Sequence, residues 1–150
     1  LLAPLHRLLG DLDAAAASAE RAAEVAAALG SPYMDMVALL NQVEIAIARS
    51  DPRLAAVLVA RATRLASTFG VPDAVLKCRL LDGRIRRSLG DREGAEECFR
   101  AMLAAAEAAG SWAGRGAAAA QLADLYEDVG RRRAAAHMRR IVDDPVTADH

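Results

Sequence analysis

Gly10-Asp11, Ser50-Asp51, Gly90-Asp91 and Gly130-Arg131 follow one another at intervals of 40 residues, and Gly30, Gly70 and Gly110 fall halfway between them. Two further columns keep the same register. Ala15, Ala55, Ala95 and Ala135 stand five residues after the members of the first series, and Leu5, Ile45, Ile85 and Leu125 stand five before them. A fixed period of this length is the signature of stacked supersecondary units, none of which buries its own apolar face alone. That regularity removes most of the architectures open to a chain of 150 residues.

Each half-period reads as a helix. Ser31-Pro32, Asp51-Pro52 and Val71-Pro72 place proline in a first turn, where its missing N–H costs nothing, and Ser31 and Asp51 stand as caps. Gly30, Gly70 and Gly110 suit the left-handed residue that closes a last turn. Between these marks the apolar residues recur at helical spacing. One stripe is Ala55, Leu58, Val59, Ala62, Leu65, Ala66 and Phe69; its equivalent is Ala95, Cys98, Phe99, Met102, Ala105, Ala106 and Ala109. The pattern predicts helices at about 1–9, 12–29, 32–49, 52–69, 72–89, 92–109, 112–129 and 131–142. Turns of two or three residues make neighbouring helices antiparallel. The expected fold is all-α: a right-handed solenoid of antiparallel helical hairpins, about seven or eight helices in one repeat domain over 1–142. Its hairpin turns fall at 10, 50, 90 and 130, and a frayed tail follows over 143–150.

Composition agrees with that class. Aromatic residues make up only 3% of the chain, and alanine dominates the apolar set, which suits closely crossing helices better than a sheet. The 19 basic and 20 acidic residues nearly cancel, so no global field marks a nucleic-acid binder. All but one of the basic residues are arginine, Lys77 being the exception, and the Ala/Arg/Gly bias hints at a GC-rich bacterial genome. Cys78 and Cys98 lack a Cys or His neighbour at metal-ligand spacing and read as small apolar residues of a reduced, cytoplasmic protein. A disulfide across the Gly90 turn is the alternative. No apolar run approaches the ~20 residues of a membrane span, and the chain starts mid-pattern with Leu1-Leu2, as an excerpt of a longer protein would.

"LADLYEDVG" followed by "RRRAAA" carries a resemblance: Leu122, Ala123, Tyr126, Gly130 and Ala135 fall on positions of the tetratricopeptide pattern. The middle repeat keeps Gly83, Gly90, Ala95 and Phe99, with Arg86 where the aromatic belongs; the second keeps Ala55 and Ala62, with Ser50 for glycine. The tetratricopeptide unit is shorter than the 40-residue period here. In that respect the chain resembles the longer tetratricopeptide-like arrays of large bacterial regulators, the LuxR-type activators of the maltose-activator kind among them, and of related signalling proteins. The resemblance spans roughly 1–142 and specifies architecture more than function.

The resemblance implies a concave surface lined by the first helix of each hairpin. Its stripes would be Val37, Leu40, Glu44, Ile47 and Ala48; Lys77, Leu80, Arg84, Arg87 and Ser88; and Ala117, Ala120, Asp124, Glu127 and Asp128. Spacings of three and four put each set on one helix face. The candidate partner-binding residues are Glu44, Ile47, Lys77, Arg84, Arg87, Asp124 and Glu127, a charge-graded surface able to take carboxylates of an acidic or C-terminal peptide. Solvation of that face, or pairing of the basic set with Glu44, Asp124 and Glu127, is the competing reading.

The remaining candidates are weaker. Arg131, Arg132, Arg133, Arg139 and Arg140 read as a polar end-cap more readily than as a phosphate contact. His6, His137 and His150 lie in separate regions, with no Gly-rich phosphate loop and no metal-site spacing, so neither catalysis nor a cofactor is expected. Glu96-Glu97 reads as an ordinary solvated pair, and Trp112 as packing over its turn. The expected function is that of a non-catalytic module of a bacterial transcriptional regulator or signalling protein, receiving a protein, peptide or effector, or a flanking domain of its parent chain. It would make no direct nucleic-acid or membrane contact. The alternative is a structural or oligomerisation element that self-associates through Leu1, Leu2, Leu5, Leu8 and Leu9.

Overall fold

The computed structural model describes residues 2–144, with side chains from residue 10 to residue 144. Every regular element among them is helical: α1 (Leu2–Leu29), α2 (Pro32–Ala48), α3 (Pro52–Phe69), α4 (Pro72–Ser88), α5 (Arg92–Ala109), α6 (Trp112–Asp128) and α7 (Arg132–Asp143). The chain divides into two compact units, Leu1–Val71 and Pro72–His150. In the first, α1 packs on α2 and α2 on α3; in the second, α4, α5, α6 and α7 pack in succession and α4 also touches α6. Consecutive packing of this kind is a helical hairpin array.

The helix boundaries follow from local chemistry. Side chains of Ser31, Asp51, Asp91 and Ser111 accept hydrogen bonds from the amides of Met34, Leu54, Gly94 and Gly114 respectively, each satisfying an otherwise orphaned N-terminal N–H. Gly30, Gly70 and Gly110 have φ of 60°, 60° and 68°. All six connections close with the same reverse bond, in which an amide donates to the carbonyl five residues back: Ser31 to Ala26, Asp51 to Ala46, Val71 to Ala66, Asp91 to Arg86, Ser111 to Ala106 and Arg131 to Tyr126. Such closure uses up the helix's last free carbonyls. Ser50 holds φ 58°, the conformation of Gly90 and Gly130 in its column, which a residue with a Cβ adopts at a cost.

One expected boundary is missing. The predicted turn at Gly10 is absent: α1 runs through it as a single helix of 28 residues. Gly10 is not among the glycines with positive φ, and nothing lies within 4 Å of where its Cβ would stand. Side chains of residues 1–9, including the leucines of the self-association reading and His6, lie outside the described residues, as do residues 145–150 of the expected tail and His150.

The core of the first unit is Ala19 and Ala26 of α1, Met36, Leu39, Leu40, Val43 and Ala46 of α2, and Ala55, Val59, Ala62 and Ala66 of α3. Phe69, placed by periodicity on the buried stripe, is 45% exposed. It is the last residue of α3 before the Gly70 turn. In the second unit, Ala95, Phe99, Leu122, Leu125, Tyr126 and Ala135 form one cluster, and Leu76, Met102, Ala106 and Ala118 form another; Leu80 and Leu103 pack against both. Phe99 and Tyr126 are its largest buried residues, and burying a side chain of that size stabilises by about 1.5–3 kcal/mol. Gly83 is what lets α4 and α5 approach: a Cβ there would lie 2.4 Å from Cε1 of Phe99.

Candidate functional site

In the second unit the first helices of two successive hairpins, α4 and α6, carry five of the seven candidate residues. Lys77 is exposed, Arg84 and Arg87 are half-buried, and Asp124 and Glu127 are exposed. Arg87 forms a salt bridge with Asp128 of α6, so the middle basic stripe is tied to the last acidic one. Asp124 and Glu127 turn away from that pairing: Arg139 of α7 lies 3.5 Å from Asp124 and 2.6 Å from Glu127. Arg139 occupies the column of Val59 and Phe99, both core residues. At α7 that position has been converted from packing to charge pairing. Arg84 differs from its neighbours, because its guanidinium has no hydrogen bond or ion pair among the described residues.

The other two candidates belong to the first unit. Glu44 and Ile47 of α2 are half-buried, and Glu44 borders a groove of about 620 Å³ between α1 and α2, together with Leu12, Ala15, Ala19, Ile45 and Ala48. Of their expected stripe, Leu40 is buried in the core while Val37 is 40% exposed.

A polar network joins α5, α6 and the turn before α7, and periodicity gave no sign of it. The Tyr126 hydroxyl donates to Oε1 of Glu96 at 2.9 Å and accepts from Nη2 of Arg100 at 2.6 Å. Arg100 also bonds Glu96 at 2.9 Å, Arg131 stands 3.7 Å from it, and the Arg131 guanidinium lies 4.7 Å from the centre of the Tyr126 ring. Burial alone would raise the Glu96 carboxyl, but the hydrogen bonds from Tyr126 and Arg100 and the two nearby positive charges hold it below the ordinary range. Burial, with the bond to Glu96, raises Tyr126. Glu96 is therefore not the solvated residue its helical position suggested; only Glu97 is exposed. The network is a fastening between helices, with each polar group satisfied by another of its own set.

The two cysteines are free thiols, so the disulfide alternative does not describe this structure. Cys78 is buried, and the Cys98 thiol donates to Asp82 at 3.4 Å. Burial and the adjacent Asp82 carboxylate push Cys98 up to about 11, which keeps it protonated and unreactive at neutral pH. Trp112 is 49% exposed, with the Arg115 guanidinium 5.8 Å from its ring centre; Arg115 in turn meets Glu107 at 3.5 Å and Asp144 at 3.8 Å. Of the basic residues on and before α7, Arg131 and Arg139 are engaged with α5 and α6, while Arg132, Arg133 and Arg140 are exposed. Among the described residues no three His, Cys, Asp or Glu side chains gather as a metal site, and no helix is long and apolar enough to cross a membrane.

Against known proteins, no family model matches this chain and no curated protein is detectably similar to it. What its surface offers chemically therefore rests on the residues themselves: on α4 a guanidinium without a partner among the described residues, bordered by ion pairs, with exposed lysine and carboxylates along the same two helices.

Proposed function

We propose that the chain is a non-catalytic interaction module, a right-handed tetratricopeptide-like solenoid that serves a bacterial transcriptional regulator or signalling protein in the cytoplasm. In this reading the first helix of each hairpin presents the binding face. In the second unit that face is α4 and α6, and its ligand is a carboxylate-bearing peptide or protein segment.

The observation that supports it is Arg84. A guanidinium keeps its charge at any physiological pH and offers five donors in a planar fork. Half-buried on α4 and without an acceptor for its guanidinium among the described residues, it is disposed to donate to a carboxylate from outside the chain. Arg87 stands beside it at a helical spacing of three and is held in place by Asp128. A bidentate arginine–carboxylate pair here would be charge-assisted, and about twice as strong as a neutral hydrogen bond.

The test is a panel of synthetic peptides with acidic C-termini, screened by fluorescence anisotropy against the intact chain and against Arg84→Glu/Arg87→Glu. The expected result is selective binding that weakens with salt and falls at least about tenfold on charge reversal, the equivalent of about 1.4 kcal/mol. Affinity unchanged by the reversal would remove this face from consideration, and so would a panel without binders.

A further inference from the structure

Two repeats of 40 residues, a shift of 80, lay α1, α2 and α3 of the first unit over α5, α6 and α7 of the second. Core falls on core at Ala26, Ala38 and Ala55, whose equivalents Ala106, Ala118 and Ala135 are buried as they are. At two positions the side chains differ greatly in size. Ala19 of α1 falls on Phe99 of α5, and Ala46 of α2 falls on Tyr126 of α6. Phe99 and Tyr126 are packed with Ala135 and Met138 of α7, so their two rings fill the space that α5, α6 and α7 enclose. The first unit has two methyl groups in their place.

The consequence is a groove. Ala16 and Ala19 of α1, Ile45 and Ala46 of α2, and Leu54 and Leu58 of α3 line an opening of about 380 Å³. Leu54 is 49% exposed there and Leu58 is half-buried. Gln42 borders this opening and also a second, of about 540 Å³, between the same three helices. To the second opening α3 contributes Arg61 and Arg64. Both are exposed, and neither guanidinium has a hydrogen bond or ion pair among the described residues; Asp35, at the same end, pairs with neither. At the apolar end Arg49 is held by Asp13 and Asp51 accepts from the amide of Leu54, so Glu20 is the uncommitted charge. The groove therefore has an apolar end with a negative rim and a polar end with an excess of positive charge.

We propose that the groove floored by α2 between α1 and α3 takes a peptide segment of a partner protein that presents an aromatic side chain and, within about three residues of it, a carboxylate. The ring lies against Ala19 and Ala46, in the space that Phe99 and Tyr126 fill in the second unit, and the carboxylate pairs with Arg61 and Arg64. The spacing follows from α3. Arg61 and Arg64 lie three and six residues beyond Leu58, about 4.5 and 9 Å along the helix, which an extended peptide covers in about two or three residues. Apolar burial holds the ring, and charge-assisted hydrogen bonds hold the carboxylate. Glu20 sets the direction, since a carboxylate at the apolar end would meet a like charge. The site is independent of Arg84, and either can fail without the other.

The probe is a set of end-blocked peptides of serine and glycine that hold one tyrosine and one glutamate at several short spacings, titrated to about millimolar into the isotope-labelled chain and followed by amide chemical shifts. The expected result is movement of the Ala19, Ile45, Ala46 and Leu58 signals, with affinity at least about tenfold lower when the tyrosine is alanine or the glutamate is glutamine, the equivalent of about 1.4 kcal/mol. Arg61→Glu/Arg64→Glu, at exposed positions, should weaken binding as much with little change in Tm. Arg84→Glu/Arg87→Glu should leave it intact. Ala46→Tyr, which gives the first unit the second unit's side chain, should keep its Tm and exclude the peptide. Signals that move only on α4 and α6, affinity indifferent to the tyrosine or to Arg61 and Arg64, a Tm lowered by Ala46→Tyr, or no movement at any spacing would each overturn the proposal. Groove signals that move with protein concentration in the absence of peptide would overturn it too, assigning the groove to a second copy.

Discussion

Replacing Gly83 by alanine should destabilise the second unit, although alanine is the better helix former. The added Cβ would lie 2.4 Å from Cε1 of Phe99 and 2.8 Å from its Cδ1 and Cζ, all well inside the ~3.5–4.0 Å of an ordinary carbon contact. Phe99 is fully buried among Ala95, Leu122, Leu125, Tyr126 and Ala135, so its ring has no solvent side to retreat to. Overpacking of a filled core costs about 1–3 kcal/mol, and three simultaneous overlaps place this case near the top of that range. Removing a helix-interior glycine returns about 1 kcal/mol. The net expectation is a loss of about 2 kcal/mol, which for a chain of this size lowers Tm by about 4–8 °C. Circular dichroism melts measure it. Gly116→Ala in α6, where nothing lies within 4 Å of the new Cβ, should raise Tm through propensity alone. In the Gly83→Ala background, Phe99→Leu should cost less than it does alone, because the two side chains compete for one space. A neutral or stabilising Gly83→Ala, or strict additivity with Phe99→Leu, would refute the claim that this contact sets the distance between α4 and α5.

Other perturbations probe different parts of the chain. Ser50→Gly relieves a left-handed residue that carries a Cβ and should stabilise the first unit by about 1 kcal/mol, read as a higher urea midpoint at unchanged m-value. Because the Glu96 carboxyl is lowered in the folded protein from its usual 4.5, its contribution is present above that value and is lost as the pH falls through the folded one. The Tm gap between the native chain and Glu96→Gln should accordingly be largest near neutral pH and close in acid. Tyr126→Phe, which removes the hydroxyl linking Glu96 and Arg100, should cost about 1–2 kcal/mol by thermal denaturation, and should narrow that pH dependence. Iodoacetamide should leave Cys98 largely unmodified at pH 8 in the folded chain, since its thiol is pushed up to about 11, and should modify it readily in urea.

How much was legible beforehand depended on the range of the interaction concerned. Caps, left-handed glycines and N-terminal prolines act within four or five residues, and so the ends of α2 through α6 could be read from the chain to within about one residue. The conversion of Arg139 from a core position to a partner for Asp124 and Glu127 could not, and neither could the binding of Glu96 by Tyr126, 30 residues away. These pairs are joined by the rotation of one helix about another, which no periodic pattern records. Phe69 lay on the predicted stripe and is still 45% exposed, because a stripe specifies a direction and not what stands opposite it.

For this protein the sequence alone determined an all-helical array of 40-residue units, since its turns and caps are short-range and repeat in register. Tertiary structure decided the rest. It joined residues 2–29 into one helix through a glycine able to end it; it tied Arg87 to Asp128 while leaving the Arg84 guanidinium without a partner among the described residues; and it left a groove beside Ala15 where every equivalent alanine is covered. The physical reason is the same in each case: covering a side chain or pairing a charge requires atoms from a distant part of the chain, and only folding brings those within reach.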